Sequence, residues 1–129
     1  MMTNRRRPLT ALERLVIDFV WTHPGSTADA VRTGLAPERA LKDSTIRTVL
    51  RNLEEKGYVR HDVEGRTFVY HAVDTPRHVA AESAHRLIDQ FCGGSVEDFL
   101  VGLVDNQVLE AKQLQRLAEK IASRKSRKP

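Results

Sequence analysis

A single change of hydrophobic period near residue 58 constrains this chain more than any other feature. Before it, apolar residues recur at helical spacing; after it, two β-rich runs flank a glycine. Leu12, Leu15, Val16, Phe19 and Val20 fall at i, i+3, i+4, i+7 and i+8, which is one stripe of a helix. Thr10 followed by Glu13 has the form of a capping box at its start, and His23-Pro24-Gly25 stops it. Ser26 and Asp29 repeat that arrangement before a short second helix, whose Ala30, Val31 and Leu35 are expected to face inward. A third helix opens at Lys42 or Asp43 and carries Ile46, Val49, Leu50 and Leu53 on its buried side. Gly57 sits where its left-handed C-terminal cap belongs.

Past that point Tyr58–Val63 and Thr67–Val73 are rich in β-branched and aromatic residues, with the turn Glu64-Gly65-Arg66 between them. This reads as a two-stranded hairpin. Alone it would be marginal in water, so Val59, Phe68 and Tyr70 are expected to pack it onto the helices. Helix, short helix, helix and hairpin is the order of a winged helix-turn-helix, whose third helix enters a major groove.

Thr75-Pro76 marks the boundary to a second region. Ala80, Ala84, Leu87, Ile88 and Phe91 keep helical spacing up to Gly93-Gly94. Ser95 with Asp98 opens another helix bearing Val96, Phe99, Leu100, Leu103 and Val104, and a last one carries Leu114, Leu117, Ala118 and Ile121. Three short helices cannot enclose a large core among themselves, so their stripes call for a partner, and a second copy of the chain is the simplest. The expected architecture is therefore mostly α with a small β-hairpin. A winged-helix domain occupies residues 1–73, and a helical dimerisation region with a basic tail occupies 74–129. Ala84, Leu87, Ile88, Phe91, Phe99, Leu100, Leu103, Leu114, Leu117 and Ile121 are the candidate dimer contacts.

Charge supports the division. Residues 1–73 hold 12 basic and 9 acidic side chains, residues 74–123 hold 5 and 8, and the last six residues add four positive charges. With Ile46, Val49, Leu50 and Leu53 inside, the third helix exposes Ser44, Thr45, Arg47, Thr48, Arg51 and Asn52, with no acid before Glu54. Arg grips a guanine edge bidentately, Asn an adenine edge, and hydroxyls bind phosphate, so this face suits double-stranded DNA. Arg60, His61 and Arg66 on the hairpin are placed to meet phosphate or a minor groove. Arg5, Arg6 and Arg7 form a flexible basic arm, and Arg124 to Lys128 a basic tail. No nucleophile, base and orienting group converge, and no phosphate-cradling glycine loop appears, so catalysis is not indicated and no cofactor is expected. His23, His61, His71, His78 and His85 are scattered, and the lone Cys92 reads as a small hydrophobe at a helix end rather than a redox switch. Without an apolar run of about 18 residues or a signal-peptide core, a soluble protein of the reducing cytoplasm is expected, with no membrane insertion.

The string DSTIRTVLRNLEEKGYVRHDVEGRTFVYHAV, with LTALERLVIDFVW before it and FCGGSVEDFLVGLVDNQVLE after it, closely resembles the penicillinase-repressor (BlaI/MecI) family of bacterial transcriptional regulators. The likeness runs from Leu9 to Ile121, and its most specific element is Thr45-Ile46-Arg47-Thr48 followed by Leu53 to Tyr58. The resemblance implies a homodimer that binds a palindromic operator and obstructs transcription. By position, the family's operator contacts fall on Thr45, Arg47, Thr48 and Arg51. It also implies a membrane sensor metalloprotease as partner, since in antibiotic-resistance members proteolysis in the dimerisation region releases the operator. The Asn-Phe dipeptide cut in those members aligns with Gly102-Leu103 here. A copper-responsive branch uses Cys-x-Cys ligands, which a chain with Cys92 alone cannot build. The competing reading, a winged-helix protein-interaction module, would favour acidic or apolar residues where Arg47 and Arg51 stand.

Overall fold

The computed structural model describes residues 6–126. In chain order it contains α1 (Ala11–Thr22), α2 (Ala28–Leu35), α3 (Asp43–Glu55), β1 (Val59–Glu64), β2 (Thr67–Ala72), α4 (Pro76–Phe91), α5 (Val96–Asp105) and α6 (Ala111–Ser126). The chain divides into two compact units between Ser83 and Ala84.

The first unit is a winged helix: three helices around one core, closed by an antiparallel hairpin that pairs Val59 with Ala72 and Glu64 with Thr67. Thr10 caps α1 as expected, accepting from Glu13 N while the Glu13 carboxylate accepts from Thr10 N. Val16, Ile17 and Val20 of α1, Val31 and Leu35 of α2, and Ile46, Val49, Leu50 and Leu53 of α3 are buried together. Gly57 takes φ +87°, which ends α3 and lets Tyr58 N bond back to Leu53 O.

Several local expectations fail for identifiable reasons. The cap of α2 is Thr27, whose hydroxyl accepts from Ala30 N. Ser26 instead pairs its backbone with Tyr70, which joins the loop to the hairpin, and donates its hydroxyl to His23 O. Starting α2 one residue later turns Ala28 inward and leaves Ala30 exposed. On the hairpin Val59, Val69 and Tyr70 are buried but Phe68 is 46% exposed, because the strands run beyond the helices that could cover it. Arg6 belongs to no free arm. Its guanidinium donates to Glu82 at 2.9 and 3.0 Å and to Gly57 O at 3.0 Å, reaches Asp74 at 2.8 Å, and lies over the Tyr58 ring. The expected roles of Arg5, Arg127 and Lys128 fall outside the described residues. Arg124 and Lys125 form the last turn of α6 instead of a frayed tail.

α4 begins at Pro76, earlier than its apolar spacing suggested. Thr75 caps it through His78 N, and Pro is favoured at a first helical position. Val79 completes the first unit's core and Trp21 Nε1 donates to Asp74 O at 2.8 Å, so the start of α4 folds with the winged helix. In the second unit, Gly93 and Gly94 take positive φ and Gly94 N returns to Ile88 O, which ends α4. Ser95 caps α5 through Asp98 N, and Gln107 at φ 64° turns the chain toward α6.

Candidate nucleic-acid interface

α3 presents its polar face because its apolar residues leave it no other orientation: with Ile46, Val49, Leu50 and Leu53 buried, the opposite positions look outward. That face has two flanks. Toward α1, Ser44, Thr45, Thr48 and Asn52 line a shallow groove of about 410 Å³ whose other wall is Thr10, Leu12 and Glu13. Ser44 and Thr48 are exposed there, while Thr45 and Asn52 are half-buried. Toward the hairpin, Arg47, Arg51 and Glu54 follow one another at i, i+4 and i+7.

Arg47 donates Nε to Asp43 at 2.8 Å, both side chains being more than half exposed. That hydrogen bond raises the Arg47 pKa further, so the guanidinium is always charged. Tyr70 lies beneath this flank. Burial is the main cause of its raised pKa, Glu54 adds to it, and Arg47 and Arg51 oppose it, so its phenol senses all three.

The hairpin separates residues that were expected to act together. Register places His61 opposite Tyr70 and Arg60 opposite His71, so His61 and Arg60 project from opposite sides. His61 is tied to α3, with Nδ1 at 2.7 and 2.8 Å from the two Glu54 oxygens and its ring stacked on Phe68. It braces the wing against the helix. Arg60 is exposed and lies 3.3 Å from Asp62, and Arg66 is exposed at the apex beside Gly65 at φ 65°. Among the described residues, no group of three His, Cys, Asp or Glu side chains could hold a metal ion.

Beneath the face is an ion pair that apolar periodicity could not reveal. Glu13 is buried, and Lys56, just past α3, reaches its carboxylate at 2.7 Å and Pro8 O at 2.9 Å. Burial alone would raise the Glu13 pKa, but hydrogen bonds from Lys56 and Thr10 outweigh it and hold the carboxyl below its ordinary range. The start of α1 is thereby fixed to the end of α3.

The candidate dimer residues lie elsewhere. Within this chain no residue of α5 is buried: Phe99, Leu100 and Leu103 are half-buried, as are Ala84 and Leu114. Leu87, Phe91, Leu117 and Ile121 are exposed, Phe91 to 75%, whereas Ile88 is already buried. Among the described residues no helix is long and apolar enough to cross a membrane.

Residues 9–123 match the family model described as penicillinase repressor. The penicillinase repressor of Bacillus licheniformis is 26% identical over 114 residues, covering 88% of each chain. An uncharacterised 16.5 kDa protein of Latilactobacillus sakei, from the ptsI 3' region, is 28% identical over 129 residues, covering 99% of this chain and 88% of its own. Among solved structures, the DNA-binding domain of the repressor BlaI is 28% identical, with a TM-score of 0.50 over 59% of this chain and 90% of that one.

Proposed function

The chain belongs to the penicillinase-repressor family, and from that premise we propose that it represses transcription as a homodimer on a palindromic DNA operator. The observation that carries the DNA reading is the α3 face. Ser44, Thr45, Arg47, Thr48, Arg51 and Asn52 offer donors along its length, while its acids stand at its two ends, Asp43 beside Arg47 at the start and Glu54 and Glu55 in the last turn. A guanidinium there reads a base edge, the hydroxyls meet phosphate, and Arg60 and Arg66 add backbone contacts from the hairpin. A protein-interaction module would lack a reason for this run of donors between the terminal acids.

Dimerisation is supported by the unburied apolar side chains of the second unit, among them Phe91, Leu117 and Ile121. Covering them with a second copy joins two winged helices, and the second half-site contact becomes intramolecular. Release follows proteolysis in α5, where Gly102-Leu103 lies, by a separate membrane sensor metalloprotease. Cutting there divides the surface that joins the two heads, and no small ligand has to bind the repressor.

The test is titration of the full-length chain against a duplex it selects from a randomised pool and against a scrambled duplex, at fixed salt. Arg47→Ala should weaken the selected duplex roughly tenfold or more while barely affecting the scrambled one. Equal affinity of wild type for both duplexes removes the operator assignment, and a monomeric mass by light scattering at micromolar concentration removes the dimer.

A further inference from the structure

The side of the hairpin that turns away from His61 and α3 borders a cleft. Arg60 stands opposite His71 in the register, so these two side chains project together, from the face that Val59 and His61 do not share. They line a cleft of about 660 Å³ that lies wholly within the first unit. Trp21 at the end of α1, Pro24 in the loop after it, and Val73, Asp74 and His78 on the way into α4 complete its walls. Its volume falls within the roughly 300–1,000 Å³ of small-molecule sites.

The lining is apolar in one part and basic in another. Trp21 Nε1 is committed to Asp74 O at 2.8 Å, which leaves the faces of the indole to offer stacking and nothing polar. Pro24 and Val73 add apolar surface beside it. Asp74 is the only acid in the lining, and the Arg6 guanidinium holds its carboxylate at 2.8 Å. The other ionisable groups are Arg60, His71 and His78. Arg60 and His71 share Asp62, at 3.3 and 3.4 Å, and Asp62 is itself more than half exposed, so this weak pairing yields readily to a second carboxylate.

These features select a ligand class. A cation would meet only an acid that Arg6 already neutralises, and an apolar molecule would cover Arg60 and His71 without satisfying them. A flat ring bearing one carboxylate suits both parts: the ring stacks on the indole, and the carboxylate takes the guanidinium fork with the imidazole N–H beside it. One arginine matches one negative charge, which favours a monoanion over a phosphate. We propose that this cleft binds a planar aromatic carboxylate, with its ring on Trp21 and its carboxylate on Arg60 and His71. The site is distinct from the α3 face, and its test requires no DNA.

The probe is 2-naphthoate, titrated into the full-length chain labelled with nitrogen-15. Trp21 is the only tryptophan, so the indole N–H region of the spectrum holds one signal and reports this cleft alone. That signal should move saturably, with half-saturation below about 1 mM. Two relatives of the probe separate its halves: 2-naphthylmethanol keeps the ring without the charge, and cyclohexanecarboxylate keeps the charge without the flat ring. Each should bind about tenfold more weakly, or worse. Arg60→Ala, at an exposed position, should weaken 2-naphthoate about tenfold. Val73→Glu places an unpaired acid in the cleft at a half-exposed position and should do the same; it carries the test if thermal melting shows that Arg60→Ala does not fold. A Trp21 signal that stays in place at millimolar 2-naphthoate overturns the inference. So does equal binding of the alcohol, or unchanged affinity in a folded Arg60→Ala. Saturable shifts confined to α5 and α6 would assign the probe to the exposed apolar residues of the second unit and overturn it too.

Discussion

Arg47 cannot hold Asp43 and a base edge at the same time. Exposed i, i+4 pairs hold weakly, and both partners here are more than half in solvent, so the guanidinium is free to exchange Asp43 for a guanine. Asp43 also puts a negative charge where phosphate would approach. Asp43→Asn is therefore expected to tighten binding to the selected duplex a few-fold; looser binding in the same titration would mean that Asp43 instead aims Arg47. Glu13 and Lys56 present the opposite case, a pair shielded from water. Removing one partner strands the other's charge, so Lys56→Met should cost about 3 kcal/mol in urea unfolding, and adding Glu13→Gln should restore much of it. The pH dependence follows from the direction of the shift. Since folding lowers the Glu13 pKa from its ordinary 4.5, its contribution is fully present above that value and is lost as pH falls through the lower folded value. The stability of Glu13→Gln should accordingly vary less with pH across that window than the wild type's.

Among the helices, α2 shows how packing overrides propensity. Gly34 lies inside it, where alanine would normally gain about 1 kcal/mol. A Cβ there would come within 2.1 Å of the Phe19 ring, which itself stacks on His23 at 4.0 Å, so neither ring can yield without disturbing the end of α1. Gly34→Ala should therefore destabilise the fold by about 1–3 kcal/mol, measured by chemical denaturation. That close approach was not legible in the sequence, where Gly34 reads only as a residue near a helix end. What was legible shares one property: it is local and periodic. The stripes of α1 and α3, the Thr10 and Ser95 caps and the Gly57 stop depend on residues within a turn or two of each other. What was missed depends on distance or on competition between equals. Ser26 and Thr27 are both capable caps, and only the bridge to Tyr70 decides between them. Phe68 alternates correctly but stands beyond the core's edge, and Arg6 finds Glu82 across 76 residues. The outward polar face of α3 was read in outline because an amphipathic helix declares it. Its division into a groove toward α1 and an arginine flank toward the hairpin needed the neighbours.

At the scale of the chain, the question is how much of it a free-standing DNA-binding head requires. The hydrophobic period suggested that the head ends at residue 73, but residues beyond that point take part in the first unit's core and ion cluster. Val79 closes the core, and Asp74 and Glu82 take the Arg6 guanidinium, whose third acceptor is the Gly57 carbonyl at the end of α3. Burial works against the Arg6 charge, and Glu82 and then Asp74 more than compensate, leaving its pKa raised. A fragment of residues 1–73 loses both carboxylates and exposes the core under Val79. A fragment of residues 1–83 keeps all of these. The shorter fragment should thus be less stable by about 2–4 kcal/mol in denaturant titrations, the sum of one lost apolar cover and one broken ion cluster. The longer one should melt cooperatively, yet it lacks α5, α6 and the remaining apolar residues of α4, and so has nothing to join it to a second head. It is expected to be monomeric and to bind a single half-site almost as well as one head of the intact protein does. On the full palindrome it should fall short by about 10²–10⁴-fold, because its second contact is no longer intramolecular. Equal stability of the two fragments would deny the start of α4 a place in the head. Full-palindrome affinity of the 1–83 fragment matching the intact chain would show that the helices beyond Ser83 do not act by joining heads.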